Sequence, residues 1–72
     1  MKTNVSVTKT KAETFIGDAD RSMSGAGIDQ HFDPKQQTLL KVNISWQYYY
    51  PACSTTPWQL EAAITTLRGH GF

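Results

Sequence analysis

The chain has 72 residues, 39% of them hydrophobic, with seven Lys and Arg against six Asp and Glu for a net charge of +1. A chain this short makes at most one small domain and buries only about 60% of the surface its unfolded form exposes. No basic or acidic block stands out, which speaks against nucleic-acid or membrane binding by bulk charge, and no run of about 18 apolar residues is present to cross a bilayer.

Residues 4–10 alternate, Val5 and Val7 on one face and Ser6 and Thr8 on the other, the period-two pattern of a half-buried strand. From Lys11 to about Met23 the period changes. Phe15, Ile16, Ala19 and Met23 fall on one face of an amphipathic helix, weakened by Gly17 inside it. The run Ser24-Gly25-Ala26-Gly27 reads as a helix stop; it follows a helix rather than a strand and lacks the longer glycine spacing of a phosphate-cradling loop. Residues 28–37 read as a connector with a turn at Asp33-Pro34.

The clearest strand pattern spans residues 38–46, where Leu40, Val42, Ile44 and Trp46 alternate with Lys41, Asn43 and Ser45. A loop leads to helix-start chemistry: Thr56 as N-cap, Pro57 at the first helical position and Gln59 completing a capping box. Leu60, Ala63, Ile64 and Leu67 then recur at helical spacing, and Gly69 or Gly71 ends a helix over residues 57–68. Strand, helix, strand, helix predicts a truncated β-α-β-α unit with two parallel strands. A third strand is not begun by Phe72. The expectation is therefore that residues 1–72 are the incomplete N-terminal part of a larger α/β domain, whose remainder is this segment's partner.

The run Leu39-Leu40-Lys41-Val42-Asn43, then Ser54-Thr55-Thr56-Pro57 and a helix ending Leu67-Arg68-Gly69-His70-Gly71, resembles the start of the domain of unknown function numbered three-six-two. The resemblance covers roughly the whole chain and is distinctive from Leu39 onward. It implies a prokaryotic α/β domain, some members of which carry ferredoxin-like motifs for iron–sulfur clusters. Cys53 is the only cysteine, so a four-thiolate cluster would have to lie outside these residues.

Open α/β sheets bind ligands beyond the carboxyl ends of their strands, which directs attention to residues 47–56. Ser54, Thr55 and Thr56 bring hydroxyls to a helix N-terminus able to receive an anion; the same groups serve equally as caps. Lys41 and Asn43 put polar side chains on a strand face, either as a solvated edge or converging on the same ligand. The candidate ligand site is thus Lys41, Asn43, Ser54, Thr55 and Thr56.

Trp46, Tyr48, Tyr49, Tyr50 and Trp58 form a dense aromatic group with no basic residues interleaved in the loop, which suits packing against protein better than base stacking. Cys53 has no neighbouring cation to activate its thiolate, and His31, His70 and Cys53 are too scattered for a zinc site. A single cysteine and no apolar leader behind Lys2 point to the cytoplasm. Two functions follow as expectations: an enzyme or redox protein with its ligand at the strand–helix junction, or a non-catalytic segment that docks through its aromatic loop.

Overall fold

The computed structural model describes residues 3–44, 46–48 and 53–72. A 3-10 turn at Ala12–Thr14 runs into α1 (Phe15–Gly25), a single turn forms α2 (Ile28–His31), and α3 spans Pro57–Gly69. Helix α1 packs chiefly against α3, with α2 folded onto the end of α1.

Each helix boundary has a local cause. At the start of α1 the Asp18 carboxylate, only 2% exposed, accepts from the Lys11 backbone N–H at 3.1 Å and the Thr14 hydroxyl at 2.7 Å, and pairs with the Arg21 guanidinium. Negative charge in a first turn also opposes the positive end of the helix dipole. At the far end Gly27, at φ 92, takes the left-handed conformation that turns the chain from α1 into α2.

Helix α3 is capped at both ends. The Thr56 hydroxyl accepts from the Gln59 backbone N–H, while the Gln59 side chain accepts from the Thr56 N–H, so the capping box read from the sequence is present. Gly71, at φ 91, ends the helix: its N–H donates to the Arg68 carbonyl and the Phe72 N–H donates back to the Leu67 carbonyl at 2.9 Å. That pair of bonds is a Schellman motif, and it folds Phe72 toward Leu67 beside Ile28 and Met23.

The hydrophobic core is very small. Among the described residues, only Ile28 and Ala62 are buried apolar side chains, joined by buried Asp18, Ser54, Thr56 and Thr66. The buried centre of α3 is Ala62 and Thr66, with Leu60, Ala63 and Leu67 half-buried beside it and Ile64 exposed. The buried centre is therefore turned by about 130°, more than one residue's arc of about 100°, from the Leu60, Ala63, Ile64, Leu67 stripe.

The expected α/β architecture is overturned. No strand exists among the described residues, so there is neither a β-α-β-α unit nor a parallel pair. Val5 and Val7 stand exposed, and Ser6 lies against Gly25 at the end of α1. Residues 38–44 and Trp46 carry no regular structure, and Ser45 lies outside the described residues. Alternation of side chains suits a pleated sheet but does not supply the second strand whose backbone groups must meet the first. Here the two alternating segments do not bond to each other, and the helix expected to cross between them packs on α3 instead.

Candidate functional site

Two of the five residues expected to hold a ligand are joined to each other. The Thr55 backbone N–H donates to the Asn43 carbonyl at 2.8 Å, and the Asn43 N–H donates to the Thr55 hydroxyl at 3.0 Å. Thr56 is engaged in the capping box. Ser54 is buried, and its hydroxyl has no hydrogen-bond partner. Lys41 is exposed and makes no ion pair. Because Pro57 has no N–H and the Gln59 N–H is bonded to Thr56, the Trp58 N–H is the donor left in the first turn of α3. The junction is thus a knot that ties residue 43 to the start of α3.

A second cluster forms where the three helices meet. His70, just past α3, points its Nδ1 at both carboxylate oxygens of Asp29 (2.8 and 3.0 Å) and its Nε2 at Asp20 Oδ1 (3.1 Å). Ser24 donates to Asp20 at 2.9 Å and lies 3.3 Å from the same Nε2. A carboxylate at each ring nitrogen favours the imidazolium, the form in which both nitrogens donate. Hydrogen bonds from Asp20 first and Asp29 second raise the pKa of His70, and the His70 bond lowers that of Asp20.

Ser24, His70 and Asp29 stand in the order of nucleophile, base and orienting acid. Asp20 changes what that order can do. It engages the ring nitrogen that would take the serine proton and favours the imidazolium, which opposes a general-base role. The amides that follow Ser24 are also spent, Ala26 on Ser22 and Gly27 on Ser24 itself, and offer no oxyanion hole there. The cluster is a charged clasp across α1, α2 and α3. His70 is 41 to 50 residues from its partners in the chain, and the only sequence signal was Asp20 and Ser24 one helical turn apart.

Apolar surface is the third feature. Leu39 is 88% exposed, Ile44 75%, Tyr48 68% and Trp46 62%, and Trp58 and Phe32 also stand largely in solvent. Tyr49 and Tyr50 of the expected aromatic group lie outside the described residues. A cleft of about 400 Å³ opens between Phe15, Ala12 and Trp58. Another of about 240 Å³ lies under Leu39 and Leu40, floored by Ile28, Met23, Leu67 and Phe72.

Cys53 is exposed, and no group of three or more His, Cys, Asp or Glu among the described residues is placed to hold a metal ion. The iron–sulfur association therefore has no footing in these residues. No helix among them is long and apolar enough to cross a membrane. No family model, curated protein or solved structure matches the chain.

Proposed function

We propose that this chain is a non-catalytic interaction module that docks on another protein through the apolar side chains of residues 39–48, with Trp58 beside them. The supporting observation is their exposure: Leu39, Ile44, Trp46 and Tyr48 lie in one short stretch and face solvent. Contiguous apolar surface of this kind is uncommon on a self-sufficient soluble chain and marks contact sites. Lys41 is the one ionisable side chain of the stretch other than Tyr48, which favours a protein partner over nucleic acid or an anionic membrane. The lone cysteine suits a reducing compartment, and we place the module in the cytoplasm.

An apolar fluorescent dye tests the reading. The wild-type chain binds it saturably, and a Leu39→Ser, Ile44→Ser, Trp46→Ser triple variant loses several-fold of the enhancement while its helical circular dichroism is unchanged. An unresponsive wild type, or a variant that binds equally well, removes the proposed surface.

A further inference from the structure

We infer that the docking partner is a second copy of this chain, joined through residues 40–44 in an antiparallel two-chain ribbon about a two-fold axis at Val42; this rests on the docking reading above. It is not the parallel pair within one chain, which the fold excludes. It forms only when two chains meet.

The backbone is the first reason. Leu39, Leu40, Lys41, Val42 and Ile44 make no hydrogen bond through their backbone groups, whereas Asn43 uses both its N–H and its C=O on Thr55. In a strand the N–H and C=O of one residue point to the same side, and successive residues alternate. With Asn43 turned toward Thr55, strand geometry turns Leu40, Val42 and Ile44 to the open side. An antiparallel copy then pairs Val42 with Val42 and Leu40 with Ile44, and each of these pairs exchanges two hydrogen bonds.

Side chains and charge agree with that register. Leu40, Val42 and Ile44 of both copies share one face, and Lys41 lies across from Asn43. Moving the axis to residue 41 would set Lys41 against Lys41, a destabilising like-charge pair. A net charge of +1 raises little barrier between copies. A two-fold contact also needs only one self-complementary patch, which each chain already carries.

The area is sufficient. The chain exposes 6194 Å², against about 4,500 Å² for a compact monomer of its mass. The excess is roughly twice the 800 Å² or so that each partner gives to a standard interface.

Sedimentation from low to high micromolar concentration tests the inference. The expected result is a reversible monomer–dimer equilibrium reaching twice 8.1 kDa. Val42→Pro, which removes the amide at the axis, and Ile44→Lys each weaken it about tenfold or more, with helical circular dichroism unchanged. Register is read by disulfide formation in a Cys53→Ser background: Lys41→Cys mixed with Asn43→Cys cross-links, and neither does so alone. A mass independent of concentration, a dimer indifferent to both substitutions, or cross-linking of Lys41→Cys with itself overturns the proposal. A monomer that still binds the apolar dye at residues 39–48 defeats only the second copy; a monomer that does not bind it defeats the docking reading as well.

Discussion

His70 is a single side chain that bridges three elements, because it ties Asp20 of α1 and Asp29 of α2 to the end of α3. Its pKa is raised in the folded chain, so the clasp contributes its full stabilisation below the ordinary histidine value of about 6.5 and loses it as pH rises through the folded value. Asp20 acts in the opposite sense: its pKa is lowered, so its share is present above the ordinary value of about 3.9 and is lost as pH falls through the folded one. Stability should therefore peak in the mildly acid range between those two ordinary values. Urea midpoints at a series of pH values check this: the wild type falls as pH rises above about 6.5, and His70→Gln removes that fall. A second residue carries a cost. The Thr66 side chain is buried at the centre of α3, and its hydroxyl has no hydrogen-bond partner. An unsatisfied buried hydroxyl costs about 1–3 kcal/mol, so Thr66→Val, of nearly the same shape, should raise unfolding stability by about that amount, and no change in the denaturation midpoint would refute it.

Among the elements, α3 owes its existence to its ends more than to its apolar stripe. Thr56→Ala removes the hydroxyl that holds the Gln59 N–H and should cost about 1 kcal/mol, or a drop of about 4–8 °C in melting temperature for a chain of this size. This is also the part of the fold that was legible in the sequence. Thr56, Pro57 and Gln59 act through bonds within four residues, so their meaning does not depend on the rest of the chain. Gly27 and the turn at Asp33, whose side chain accepts from the Lys35 N–H, are local in the same way. The inward face of α3 was not legible, since Ile64 looks like core until the approach of α1 centres burial on the small Ala62 and Thr66. Nor were the strands. Val5, Val7, Leu40 and Val42 show the right alternation, but a strand exists only by virtue of a partner at long range, and neither segment finds one among the described residues. Of the candidate ligand residues, Asn43 and Thr55 are tied to each other by two hydrogen bonds, a contact between residues 12 apart that no local pattern announces. The His70 clasp joins side chains of α1 and α2 to the end of α3, and apart from Asp20 and Ser24 one helical turn apart it has no spacing that a scan along the sequence could detect.

At the scale of the whole molecule the chain divides into a helical part with paired backbone and a strip at residues 39–48 where, among the described residues, Asn43 alone is tied, to Thr55. Its radius of gyration, 13.5 Å, exceeds the roughly 11 Å expected of a compact 72-residue domain. Among the large apolar side chains in solvent, Leu39, Ile44, Trp46 and Tyr48 lie within residues 39–48. A protease needs a backbone segment free to enter its cleft, so cleavage follows local lack of hydrogen bonding and burial rather than the number of susceptible residues. Chymotrypsin has aromatic or leucine sites in the strip at Leu39, Leu40, Trp46 and Tyr48, and others within helices at Phe15, Leu60 and Leu67. At low enzyme ratios the first cuts should fall in the strip. They should yield an N-terminal piece carrying α1 and α2 and a C-terminal piece carrying α3, identified by mass spectrometry. The pieces should stay associated in buffer, because the α1–α3 packing and the bonds from His70 to Asp20 and Asp29 span the cut. Raising pH through the folded pKa of His70 should loosen that association, while raising chain concentration should slow the first cut as second copies cover residues 40–44. Initial cleavage at Phe15 or Leu60 would mean that the helices open before the strip does, and the division of the molecule drawn from its exposed side chains would be wrong.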